Sequence, residues 1–430
     1  MRDLPSRRAF FLKSLSGVGI NTFITFLFSL LFPLIVLRTM GASHFRAWVL
    51  ASSVSVLVSL GELGIGNLIS AEYEKLKRLK QMNLVHAFYS QIRRVFYIWI
   101  VSYSAIVIFI VSSLYLLGIW IAPSVNNEPL LAVLLCISNL IYACYSIPMS
   151  GFRAFDRFPF SQFLLGFSRT MEVIFMIASI LSFDSLITTA LILLFTRMAT
   201  LFFLEMQIGK HWQEIDESTQ EYKIDFAALK QPLLGNMFIL FGNWLRQQGP
   251  QLIASRFIGL DLFVAFSLIR TFASGLRQIS DTLFASMIPQ LSTDYFVGNK
   301  FHFQRSINRT LRSLVLLNVT YLLFTFFFVI PLLSWWIGNS ISLSSLEATL
   351  IVMATALDVL LLWPLAILLS ANKHFRYSLL YCIGSLFSIC SCIILGLLYH
   401  LSGLIIGLFF LHIVVVPFGL RTFRNFRNEY

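Results

Sequence analysis

Between Lys13 and Arg38 the chain runs for more than 20 residues without a charged side chain, and similar runs recur to its end. A helix needs about 20 apolar residues to cross the hydrocarbon of a bilayer. Cut by charges, prolines and Asn clusters, these runs predict twelve helices, at 14–37, 47–70, 95–121, 130–150, 160–183, 186–208, 232–255, 262–288, 313–338, 344–370, 376–398 and 402–420. The longest connections are 71–94, 209–231 and 289–312, none large enough for a separate domain. Only 12% of the 430 residues are charged and 57% are hydrophobic, whereas a soluble domain carries roughly 25% charged residues. A soluble enzyme, a disordered chain and a coiled coil are all excluded on that ground.

The formal charge is +12, a value that in a soluble protein would point to nucleic acid. Its distribution gives another explanation. Loops on the side of the N-terminus hold 24 of the 32 basic residues, including Arg7, Arg8, Lys75, Lys77, Arg78, Lys80, Arg93, Arg94, Arg305, Arg309, Arg312, Arg421 and Arg424. The opposite loops hold Arg38, Arg46 and Arg256. This bias orients a multi-pass membrane protein with both termini in the cytoplasm, and it needs no nucleic acid. Ser6 to Lys13 looks like a twin-arginine export signal, but the apolar stretch behind it continues too far for a cleavable one. All five cysteines (Cys136, Cys144, Cys382, Cys390 and Cys392) lie in apolar runs and form no metal or disulfide framework.

The two halves resemble each other. Leu12-Lys13 opens the first predicted helix and Leu229-Lys230 the seventh; Met40-Gly41 has a counterpart in Ile258-Gly259; Arg94 falls against Arg312; Ser150 to Phe155 lines up with Ser370 to Phe375. The hydropathy common to any twelve-helix chain is the competing explanation. Six helices per half give parallel repeats about an axis along the membrane normal. The expected architecture is therefore an all-α integral membrane protein of two six-helix bundles around a central cavity. Residues 1–208 form the first lobe, 209–231 a cytoplasmic linker bearing Glu214, Asp216, Glu217, Glu221 and Asp225, and 232–430 the second lobe.

A charge at the centre of a spanning helix costs about 2.5–3.5 kcal/mol on insertion scales and so wants a reason. The deep candidates are Glu62, Arg169, Glu172, Arg197, Arg246, Arg270, Arg277, Asp281 and Asp358. Arg169 and Glu172 stand at i,i+3 and Arg277 and Asp281 at i,i+4, so each pair can neutralise itself on one helix face. Arg197, Arg246 and Arg270 have no partner on their own helix, although an arginine can also snorkel to the interface. An arginine excess suits an anion, above all a diphosphate, because guanidinium stays charged and presents a planar fork. Glu62, in Gly61-Glu62-Leu63-Gly64-Ile65-Gly66, is read as pairing with an arginine or carrying a coupling proton. The glycines around it read as a place where a helix meets a neighbour closely. Pro33, Pro148, Pro250, Pro331, Pro364 and Pro417 interrupt spans and mark candidate bends. No catalytic constellation, P-loop or metal-ligand spacing occurs, so neither an enzyme nor a cofactor is expected.

The stretch from Arg38-Thr39-Met40-Gly41 to Trp48, then Gly61 to Gly66 and the basic loop, resembles the polysaccharide-export branch of the multidrug/oligosaccharidyl-lipid/polysaccharide exporter superfamily. Glu62 stands where that branch more often has Asp. The resemblance implies a flippase moving undecaprenyl-diphosphate-linked oligosaccharide, an O-antigen or capsule repeat unit, across the bacterial inner membrane. Combined with the arginine excess found within the spans, it gives the expectation of head-group binding by Arg246, Arg270, Arg277, Arg197 and Arg169, charge pairing or coupling to H+ or Na+ by Glu62, Asp281, Asp358 and Glu172, and partnership with a glycan polymerase. Alternatives are a drug or cation antiporter of the same superfamily, a peptidoglycan-precursor flippase, and a membrane-embedded glycan polymerase or ligase, for which every outer loop is short. The orientation is checked with single cysteines in a variant whose own cysteines are replaced. Arg305→Cys is expected to react with an impermeant maleimide only in inside-out vesicles, and Arg256→Cys only in right-side-out ones.

Overall fold

A computed structural model of the chain describes residues 7–66, 69, 72–73, 76, 82–116, 127–155, 157–212, 226–297, 300–337, 343–371 and 373–429. The acidic residues Glu214 to Asp225 of the expected linker, and Lys75, Lys77, Arg78 and Lys80, lie outside them. The described residues are helical with no strand: α1 Arg7–Met40, α2 Ala42–Ser59, α3 Met82–Leu116, α4 Glu128–Cys144, α5 Ser146–Ala154, α6 Phe158–Phe183 and α7 Leu186–Trp212 form the first half. The second comprises α8 Phe226–Phe257, α9 Leu260–Val297, α10 Lys300–Phe324, a π-helical turn Thr325–Val329, α11 Ile330–Ile337, α12 Ser345–Ser370, α13 Phe375–Leu408 and α14 Phe410–Glu429. The described residues of each of the twelve predicted spans are mainly helical, with a break at Leu63 and Gly64 inside 47–70. Nine stretches among the described residues are long and apolar enough to cross a membrane. Helices α8 and α9 fall short of that apolarity because they carry Arg246, Gln247, Gln248, Arg270, Arg277 and Asp281.

Two expected loops are largely helix. Residues 82–94 belong to α3, and 289–312 are helical on both sides of the undescribed 298–299. The reason is amphipathicity: on α3, Val85, Tyr89, Ile92 and Phe96 are buried, and Phe303, Ile307, Thr310 and Leu314 are buried on α10 at the same spacing. The second set lies 218 positions after the first, as 303 follows 85, so the internal repeat is written in the burial pattern as well as the hydropathy. Helix pairings repeat too. In the first half α3 packs on α4, α4 on α7 and α6 on α7; in the second α10 packs on α12, α12 on α14 and α13 on α14.

Packing divides the chain into two units, one of Met1–Ile24 with Ala51–Leu233 and one of Thr25–Leu50 with Leu234–Tyr430. Residues 25–50 join the second unit through close contacts. Phe26 lies against Gly275, and Arg46 Nη2 donates to the Ser255 carbonyl at 3.0 Å, near the end of α8. Each half has its own core. In the first it includes Tyr73, Phe88, Tyr89, Phe96 and Phe152; in the second, Leu276, Leu314, Val359, Tyr377 and Tyr381.

The last two spans are a tight hairpin inside α13 and α14. Helical geometry breaks at Tyr399 and at His400, whose φ of 48° is rare for a residue with a side chain. The chain then returns so closely that a Cβ on Gly403 would overlap the Leu395 carbonyl oxygen, and one on Gly407 would lie 2.7 Å from Cys392 Cα. Small residues spaced as Gly403-x-x-x-Gly407 are what lets two helix backbones approach without hydrophobic driving force in lipid. Gly403→Ala is expected to lower stability by about 3 kcal/mol, an overpacking cost. Gly259→Ala, where a Cβ meets nothing within 4 Å, is expected to leave the thermal midpoint in detergent unchanged.

Candidate functional site: a buried ionic cluster in each unit

In the first unit, Arg169 and Glu172 sit one turn apart on α6, and Arg169 Nη1 donates to Glu172 Oε2 at 2.7 Å, as their spacing predicts. Arg197 on α7 brings its Nε to 3.5 Å from the same oxygen. Its Nη1 donates to Asn139 Oδ1 at 2.8 Å, and Asn139 Nδ2 in turn donates to Ser55 Oγ at 2.7 Å. The Tyr142 ring lies beneath both guanidinium groups, 4.2 Å from Arg169 and 5.1 Å from Arg197. An aromatic face attracts a cation most strongly where water is excluded. Tyr145, at the break between α4 and α5, donates its hydroxyl to the Arg197 carbonyl at 2.8 Å. Glu172 Oε1 is buried without a hydrogen-bond partner, so the cluster combines two cations with one carboxylate that has a free lone-pair site.

In the second unit the centre is Arg246 on α8. Its Nε and Nη2 donate to Asp358 on α12 at 2.6–3.0 Å, and its Nη1 donates to Ser388 Oγ at 2.9 Å and to the Leu408 carbonyl at 2.7 Å. A guanidinium has five N–H groups, and all five have acceptors here. Ser388 also donates to the Gly407 carbonyl at 2.8 Å, so one arginine ties α8 and α12 to both arms of the last hairpin. His412 on α14 places Nε2 3.2 Å from Asp358 Oδ1. Asp358 is 5% exposed; a carboxylate so far from water persists as an anion only when paired. Arg270 donates to the carbonyls of Arg246 at 2.6 Å and Gln247 at 3.1 Å. Arg277 is buried and lies 3.5 Å from Asp281 Oδ2, while the Asp281 side chain is 53% exposed. Three arginines against two aspartates leave this cluster, like the first, one positive charge in excess.

Glu62 belongs to neither cluster. It closes the 3₁₀ turn Leu60–Glu62 at the end of α2, where Leu63 and Gly64 take φ of 52° and 68° and stop the helix. A Cβ on Gly61 would overlap the Tyr103 ring, the close approach its glycines predict. Trp99 and Tyr103 donate to the Gly61 and Leu57 carbonyls at 2.9 and 3.1 Å. Among the described residues no arginine pairs with Glu62. Glu205 is a further acidic residue inside a predicted span, 186–208. It accepts from the Tyr97 hydroxyl and pairs with Arg93 Nη2 at 3.2 Å. Asn139, Tyr142, Ser388 and His412 carry no signal of their own in the sequence, since their roles exist only across helices. No group of His, Cys, Asp and Glu suited to a metal occurs among the described residues.

Removing one member of a buried pair strands the other charge and costs about 3–5 kcal/mol. Asp358→Leu is expected to show such a loss in thermal melting, and Arg246→Met combined with it is expected to recover most of the stability.

No protein-family model matches the chain, and no curated protein does. Solved structures do match along nearly the whole length. An inward-facing multidrug resistance MATE family transporter of the MOP superfamily superposes with a TM-score of 0.67 at 13% identity, covering 100% of this chain and 97% of that one. A MATE protein in complex with MaL6 gives 0.70 at 10% identity, covering 97% of each chain. A mutant of the Vibrio cholerae MATE transporter VcmN gives 0.62 at 13% identity, covering 98% and 97%. The chain thus shares the twelve-helix fold of the MATE transporters.

Proposed function

We propose that the chain is a secondary transporter that exchanges an organic cation for a proton or sodium ion in the bacterial inner membrane, with Asp358 taking up the coupling ion. The observation that carries this reading is the buried Asp358, shared between Arg246 and His412 on a fold found in solved MATE transporters. A proton or sodium ion arriving at Asp358 competes with Arg246 for the same oxygens. Arg246 also binds Ser388 and Leu408, so weakening its grip on Asp358 frees α12 from α8 and from the hairpin that α8 holds. An ion acts on a conformational equilibrium only through such a difference between states. Glu62 and the half-exposed Asp281 are the other candidate carriers.

The charge excess favours a second reading. Each cluster keeps one uncompensated arginine charge, and Arg169, stacked on Tyr142, is 17% exposed at its side chain. A polyprenyl-diphosphate-linked oligosaccharide would satisfy the excess of the first unit through its phosphates, with Arg169 and Arg197 as contacts and a glycan polymerase as the consumer of the product. Arg246 has no free N–H for this task.

Purified protein in proteoliposomes separates the two. Under the antiporter reading, an imposed proton or sodium gradient drives ethidium accumulation, and Asp358→Asn abolishes it in protein that still elutes as a folded species. Gradient-independent silence toward ethidium, with translocation of a fluorescent polyprenyl-diphosphate glycan that Arg169→Ala removes, would reverse the order of the readings.

A further inference from the structure

Among the five arginines of the two clusters, Arg270 is the one whose acceptors are all backbone. Its Nη2 reaches the carbonyls of Arg246 at 2.6 Å and Gln247 at 3.1 Å. In an unbroken helix those carbonyls would accept from the N–H groups of residues 250 and 251. Residue 250 is proline, which has no N–H and whose ring crowds the carbonyl four residues back. Helix α8 nevertheless runs on to Phe257, and Pro250 is buried. The Arg246 carbonyl is therefore left without its helical donor in surroundings where water does not readily replace it.

We propose that Arg270 is a positioning residue: from α9 it supplies the hydrogen bond that Pro250 withholds. In doing so it holds the α8 backbone at the point from which the Arg246 side chain leaves for Asp358. The same nitrogen bonding two successive carbonyls is the pattern expected at a proline break, where the two adjacent rungs of the helix ladder are both disturbed. The molecule uses this device elsewhere. At the broken end of α2, Trp99 and Tyr103 donate from α3 to the carbonyls of Gly61 and Leu57. A positive charge is not what the site itself calls for. Arg270 lies beside the backbone of another arginine, and its Nε is buried without an acceptor, so geometry rather than charge balance accounts for its contacts. The proposal rests on backbone geometry within the second unit and is independent of which solute is carried.

A double-mutant cycle in the full-length protein tests it, read as the thermal midpoint in detergent. Arg270→Ala is expected to lower the midpoint. Pro250→Ala restores the missing N–H, and in combination it is expected to recover most of that loss. Arg270→Gln, which keeps a donor without the charge, is expected to melt above Arg270→Ala. In proteoliposomes with ethidium as the probe, Arg270→Ala is expected to reduce the maximal rate at unchanged KM, and Pro250→Ala to restore the rate. Additive losses in the double variant overturn the proposal. So does Arg270→Gln melting with Arg270→Ala while Arg270→Lys melts with the unmodified protein. The melting experiment needs no transported solute, so this inference and the antiporter reading can each fail alone.

Discussion

The interaction on which the second unit turns is the guanidinium of Arg246, with every N–H group engaged. Asp358 takes two of its edges, and Ser388 and the Leu408 carbonyl take the rest. Burying that cation is costly, and the cost is met only because each donor has an acceptor and Asp358 supplies the opposite charge. The consequence is mechanical. Helices α8 and α12 and both arms of the last hairpin meet at a single side chain, whose charge one carboxylate balances.

The first unit solves the same problem differently. Its two arginines share one glutamate and the face of Tyr142, and Arg197 alone adds an asparagine. A neutral amide and an aromatic ring replace the second carboxylate. The helix pairings repeat between the halves while the chemistry has diverged, which is what separates an inherited scaffold from the sites placed on it.

Much of this was legible in the sequence. Span positions follow from hydropathy because a single apolar run of about 20 residues satisfies its own backbone in lipid as a helix. The Arg169–Glu172 and Arg277–Asp281 pairs follow from spacing, because residues three and four apart share a helix face. Gly61 could be read as a close-packing position. Less legible were the ends of helices. Basic, amphipathic segments such as 82–94 and 300–312 look like loops to a hydropathy argument, yet they continue as helices because Phe88 and Ile307 face a core.

The sequence by itself determined the twelve apolar helices, the internal repeat and the existence of charges that the membrane must compensate, since each of these is a property of local composition and period. Only the tertiary structure decided which charges meet across helices. That Arg246 finds Asp358 112 positions away, that Arg197 finds Asn139, and that Arg270 reaches the carbonyl beside Pro250 are facts about neighbouring helices. Periodicity along one helix fixes a face, but not the partner that face will meet.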